Sequence, residues 1–97
     1  MAFVQLIEFI AENEDAVREI DEQWLAATEG KRTARRQIVT RDRNNADRYV
    51  VAVFFDSYDS AMTNSALPET QTLAEKYRAV TTEIAFHDLD VISDTAL

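Results

Sequence analysis

Residues 49–55 read YVVAVFF. Seven apolar residues in a row, all but one of them β-branched or aromatic, make this the strongest strand in the chain. A strand with one face in water alternates apolar and polar residues. This one does not, so both of its faces must be hidden. The segment 2–10, AFVQLIEFI, repeats the pattern with Phe3, Ile7 and Phe9 on one face and Val4, Leu6 and Ile10 on the other. In EIAFHDLDVI (83–92), Ile84 and Phe86 oppose Ala85, Leu89 and Val91.

Two helical regions accompany these strands. Asn13 is a good N-cap, and Glu14 and Asp15 suit the positive end of a helix dipole. Val17, Ile20, Trp24, Ala27 and Thr28 then follow a 3.6-residue period. Gly30, the only glycine, stands where a left-handed residue would close a helix over about 14–29. Residues 34–43, ARRQIVTRDR, form a weaker strand, and NNAD (44–47) is turn chemistry. Asp56 or Ser57 can cap a short helix through Ala61 and Met62 to about Asn64. Pro68, the only proline, is placed for the first turn of a further helix with Leu73, Tyr77 and Val80 as its stripe. The order is βαββαβ, an α+β ferredoxin-like pattern: a four-stranded antiparallel sheet with its helices on one face, in one domain over 1–97.

Helices on one face leave the other uncovered, and 97 residues hold no spare element to cover it. A second copy is the economical answer. Stacked sheets hiding ~800 Å² per partner have the size of a stable interface, and a patch of that size on a monomer would invite aggregation. A homodimer, two sheets stacked into a barrel, is therefore expected.

The composition narrows the chemistry. With no cysteine there is no disulfide framework or thiolate site, and one histidine argues against zinc or di-iron. No metal is expected. The N-terminal ten residues lack a positive region and contain Glu8, which reads as a strand and not as a signal peptide. No apolar run approaches a membrane span, so a cytoplasmic location with no membrane partner is expected. The net charge of −8 argues against nucleic acid. That charge is uneven: residues 1–29 hold eight acids against Arg18, whereas 31–48 carry Lys31, Arg32, Arg35, Arg36, Arg41, Arg43 and Arg48. A charged edge strand is the simplest reading of the basic stretch, with an anion site near Arg35 and Arg36 as its alternative.

Few residues are equipped for catalysis. His87 alone has an unperturbed pKa near neutrality, making it the default general base. Its alternative is a hydrogen-bonded structural role. Asn64 sits at the break before Pro68, where it either satisfies freed backbone groups or presents its amide to a substrate carbonyl or oxyanion. Trp24 and Tyr77 read as core or as walls of a pocket, and Tyr49 and Tyr58 are similarly placed. Gln5 and Glu8 are polar positions in a strand hidden on both faces, so one of them should line a pocket. Glu8 paired with Arg36 or Arg41, across strands or across subunits, is the other option. No phosphate loop, nucleophile elbow or EF-hand is present, and no cofactor is expected.

The stretch FFDSYDSAMTNSALPETQTLAEKY resembles the third-strand-to-second-helix region of the antibiotic-biosynthesis-monooxygenase-like branch of the dimeric α+β barrel superfamily. Small actinobacterial proteins of this type often end in a segment like FHDLDVI. The resemblance spans nearly the whole chain. It implies a pocket between sheet and helices in each protomer, used by some members for cofactor-independent oxygenation of electron-rich aromatics. Many such members carry a histidine where AMTNS places Asn64. Haem-degrading members need a histidine on the second helix and a tryptophan nearby, whereas this chain has Asn64 there and its only tryptophan at Trp24, so haem chemistry is not implied. The expectation is a cofactor-independent monooxygenase-like protein for a small aromatic or polyketide-like substrate, with His87 as base, Asn64 as carbonyl anchor and Trp24, Tyr77, Gln5 and Tyr49 around the pocket. The alternative is a non-catalytic ligand-binding or structural dimer.

Overall fold

In the computed structural model, which describes residues 1–97, the elements run β1 (Phe3–Ile10), α1 (Glu14–Ala27), β2 (Arg36–Arg41), β3 (Arg48–Phe55), α2 (Tyr58–Ser65), α3 (Pro68–Val80) and β4 (Thr82–Asp90). The strands form one antiparallel sheet in the order β2-β3-β1-β4. The apolar strand β3 is thus interior, as its composition demands. The charged strand β2 is an edge, where its arginines discourage pairing with another sheet.

Local signals set the helix ends. The Asn13 side chain accepts a hydrogen bond from Ala16 N at 3.1 Å and opens α1, while Ser57 does the same for Ser60 N at 3.0 Å and opens α2. The first helix stops at Ala27, two residues short of the sequence expectation. The Thr28 hydroxyl donates to Trp24 O at 2.7 Å and ends it, and Gly30 follows with a left-handed φ of 78°. Pro68 opens α3 at its first turn.

Strand parity decides what each side chain meets. Phe3, Phe9, Tyr49, Val51, Val53 and Phe55 are buried with Val17 of α1 and Ala61 of α2. The odd positions of β1 and β3 therefore face the helices, and all the helical cover lies on that side. Val4, Leu6, Ile10, Val50, Ala52, Phe54 and Ile38 occupy the other face, where they are only half-buried, and Leu89 is 42% exposed. The first strand thus has the two faces assigned from its sequence. Within β4 the register shifts between the partners of Glu8 and Ile10, and Glu83 adopts φ 53° at that bulge.

The basic stretch is consumed locally. Arg35 makes hydrogen bonds of 3.0 and 2.8 Å to Asp56, Lys31 meets Glu69 at 2.8 Å, and Arg36 lies over the Phe54 ring at 5.8 Å. Within the chain, Glu8 pairs with Arg48 at 3.2 Å and not with Arg36 or Arg41. The reason is topological: β3 stands between β1 and β2, so the arginines of β2 cannot reach the middle of β1. No helix is long and apolar enough to cross a membrane.

Candidate active site

Between the helix-facing side of the sheet and the helices α1, α2 and α3 lies a cavity of about 190 Å³. Ile7, Val51, Val53 and Ile84 form its apolar floor, with Leu73 and Ala74 of α3 above. Gln37, Val53, Gln5 and Asp88 pair in register as one row across the sheet. Polar side chains therefore flank an apolar centre on this floor. Gln5 Nε2 donates to Asp88 Oδ1 at 3.2 Å, which turns its carbonyl oxygen to the free side.

Trp24 and Tyr77 line the cavity from α1 and α3. The Trp24 indole N–H donates to Thr70 Oγ1 at 3.0 Å, so the ring is held by a partner on α3 and presents its π-face rather than a free donor. Tyr77 packs against Phe9 at 5.4 Å, and its hydroxyl has no protein partner. Burial, with a smaller contribution from the Asp21 charge, pushes its phenol well above the ordinary range. Tyr77 is therefore a neutral donor at any physiological pH.

Asn64 is 4% exposed and lines the same cavity. Its Oδ1 accepts a hydrogen bond from Thr33 N at 3.1 Å, and the Thr33 hydroxyl donates to Ser60 O at 2.6 Å. A backbone N–H can only donate, so the oxygen must be the atom facing Thr33. The NH₂ group is then the free end, and no protein acceptor takes it. The break before Pro68 makes this arrangement: α2 ends just after Asn64, and α3 leaves in a new direction. Asn64 thus ties the α1–β2 connection to α2 with one end and keeps two donors on the other.

Asp21, which sequence reasoning passed over, also lines the cavity. Gln37 Nε2 donates to its Oδ1 at 2.8 Å. Burial raises its pKa above the ordinary carboxylate value; the Gln37 hydrogen bond opposes this and the Glu22 charge adds to it. A signal was present in the sequence: Asp21 follows Ile20 and precedes Trp24 by three residues, so it falls inside the apolar stripe of α1.

Two residues expected at the site are elsewhere. His87 pairs with Leu6, which puts it on the open face of the sheet, 3.8 Å from Glu8 Oε2 and away from the cavity. Its neighbour Phe86 has the opposite parity and lines the cavity, as alternation requires. Tyr49 is on the helix side but is buried in the core, stacked on Phe9 at 5.5 Å, and it does not line the cavity. Gln5, Asn64, Trp24 and Tyr77 are brought together around one space, with Asp21 and Gln37 added.

No protein-family model and no curated relative matches the chain. Solved structures do. SnoaB, a cofactor-independent oxygenase from Streptomyces nogalater, superposes with a TM-score of 0.81 at 15% identity, covering 96% of this chain and 95% of that one. Rv0793 from Mycobacterium tuberculosis gives 0.79 at 12% identity, with 99% of this chain and 100% of that one covered. A protein from Deinococcus radiodurans, named as a candidate antibiotic biosynthesis monooxygenase, gives 0.75 at 11% identity over 98% and 97% of the two chains. The likeness is one of fold: this chain shares the four-stranded ferredoxin-like fold of these structures.

Proposed function

We propose that the protein is a cofactor-independent monooxygenase for a small aromatic or polyketide-like substrate, bound in the cavity between sheet and helices. The observation that carries this reading is Asn64, a buried amide whose oxygen is occupied by Thr33 N–H and whose NH₂ donors remain free at an apolar cavity. Donors fixed in advance beside an apolar surface suit a reaction in which negative charge develops on a substrate oxygen. The walls suit a flat ring: Trp24 presents a π-face held by Thr70, and Val51, Val53 and Ile7 are apolar. The likeness in fold to an oxygenase named as cofactor-independent supports the reaction class.

The chemistry needs no electron carrier if the substrate itself is the reductant. Deprotonating a phenol makes an electron-rich anion that can reduce O₂ and bond to it at a ring carbon. Loss of water from the resulting hydroperoxide leaves a carbonyl. For 1-naphthol the balance is one naphthol plus one O₂ giving one 1,4-naphthoquinone plus one water. Asn64 donates to the oxygen that carries the charge, and Gln5, Trp24 and Tyr77 orient the ring.

The working unit is inferred to be a homodimer. Val4, Leu6, Val50, Ala52, Phe54 and Leu89 form an apolar face that no element of this chain covers. Burying it against a second copy gives a contact of the usual ~800 Å² per partner. Sedimentation of the wild type at micromolar concentration is expected to give twice the chain mass, and Phe54→Arg to give the chain mass.

The test of the activity is oxygen uptake with 1-naphthol in chelator-treated buffer, with the quinone measured by chromatography. Uptake matched one-to-one by quinone, and lowered in Asn64→Ala, supports the reading. Uptake no faster than in buffer, with 1-naphthol shown to bind, contradicts it.

A further inference from the structure

The cavity holds one carboxylate, and its setting is unusual for a surface helix. Asp21 lies on the inward stripe of α1 between Val17 and Trp24, both buried. No lysine or arginine pairs with it. Its Oδ1 is occupied by Gln37 Nε2 at 2.8 Å, and its Oδ2 has no protein donor. The charged and titratable groups around it are Glu22 on its own helix, Tyr77 from α3 and, lining the same cavity, the exposed Arg78; Gln37 from β2 is neutral. An unpaired carboxylate in an apolar stripe costs stability, so its free oxygen awaits a donor that the chain does not contain.

Size limits what that donor can belong to. Benzene fills an apolar cavity of about 150 Å³, and the space here is about 190 Å³. A space of that size suits a ligand of one or two rings.

We propose that Asp21, oriented by Gln37, reads and deprotonates the hydroxyl of a one- or two-ring phenol in this cavity. This rests on the reading of the cavity as an oxygenase site. Asp21 Oδ2 accepts the phenol O–H and takes its proton. The phenolate reduces O₂ and forms a C–O bond at the ring carbon para to the oxygen, leaving a peroxide anion. The peroxide anion takes a proton from water at the open side of the cavity, and protonated Asp21 gives its own proton to water, so the count of protons is unchanged. The ring C–H proton then leaves as the O–O bond breaks, so that quinone and water depart. Asp21 contacts the reacting oxygen and is a catalytic residue; Gln37 acts through it and is a positioning residue.

The experiment compares 1-naphthol with naphthalene on the full chain, with binding read from quenching of Trp24, the sole tryptophan, and turnover read from oxygen uptake. Asp21→Asn keeps the shape and removes a charge that burial disfavours, so it is expected to fold. It should weaken 1-naphthol binding by about tenfold, the usual worth of a hydrogen bond to a charged group, leave naphthalene unchanged and lower turnover at least 100-fold, the scale of a general base. Gln37→Leu removes the bond that favours the charged form and should move the acidic limb of the rate–pH profile to higher pH, which a purely structural role would not do. Unchanged 1-naphthol binding and turnover in Asp21→Asn overturn the proposal while leaving the oxygenase reading intact. Selective loss of 1-naphthol binding with no turnover in the wild type keeps Asp21 as the hydroxyl-reading residue and overturns its role as base together with the oxygenase reading.

Discussion

Replacing Asn64 with alanine tests the geometry of the site through stability. In the wild type, Asn64 Oδ1 is the acceptor for Thr33 N–H at 3.1 Å, in a part-buried setting between the α1–β2 connection and α2. Alanine leaves that N–H without a partner, and an unsatisfied buried donor costs about 1–3 kcal/mol. Partial burial puts Thr33 toward the lower half, about 1.5 kcal/mol. For a domain of about 100 residues each kcal/mol lowers Tm by about 4–8 °C, so Asn64→Ala should melt about 6–12 °C below the wild type. Scanning at one fixed protomer concentration removes the effect of association. Hydrogen exchange at the Thr33 amide should quicken, while the amides of β1 and β3 should not change. Asn64→Asp restores an oxygen for Thr33 and removes the free NH₂, so at pH 8 it should recover at least half of the lost stability while failing to support turnover. An Asn64→Ala variant melting within about 2 °C of the wild type, with Thr33 exchange unchanged, would refute the assignment of oxygen and nitrogen on which the site rests.

Stability should carry the mark of Asp21 as well. Its pKa is raised in the fold, so the folded protein keeps this proton over a pH range in which the unfolded chain has lost it. Stability from this group therefore falls as pH rises through the window above 3.8. Subtracting the Asp21→Asn unfolding curve isolates it from Asp42, Asp56 and Glu69, whose pKa values are lowered and which act in the opposite sense; a difference that is flat with pH would refute it. His87 lies on the open sheet face, so His87→Ala should keep wild-type turnover as long as the variant still sediments as a dimer, and loss of turnover in such a dimer would contradict the register. Glu83 holds φ 53° at the β4 bulge, a conformation that costs a non-glycine residue about 1 kcal/mol. Glu83→Gly should therefore raise Tm by a few degrees and Glu83→Val should lower it.

Much of this arrangement is legible in the sequence. The apolar run YVVAVFF announced an interior strand, and the alternation in β1 separated Phe3 and Phe9 from Val4 and Leu6. Pro68 marked the break that turns Asn64 inward. What could not be read was which parity faced the helices, because both faces of the central strands are apolar. Alternation sets His87 opposite Phe86 but leaves open which side of the sheet each faces. The Glu8–Arg48 pair needed the strand order, which brings β3 rather than β2 beside β1. Tyr49 was taken by a neighbour, Phe9, whose register partner it is. Asp21 was hidden by its surroundings: in a helix with Glu14, Asp15, Glu19 and Glu22, one more acid draws attention only when its angular position is compared with that of Val17 and Trp24.

The most direct measurement is a proton–nitrogen NMR titration of the labelled protein with 1-naphthol. If the helix-side cavity is the ligand site, the Trp24 indole N–H and the Asn64 side-chain NH₂ resonances should move together and saturate, while the amides of Leu6 and His87 on the open face stay in place. Shifts confined to the open face, or a Trp24 signal that does not move at saturating 1-naphthol, would contradict the account.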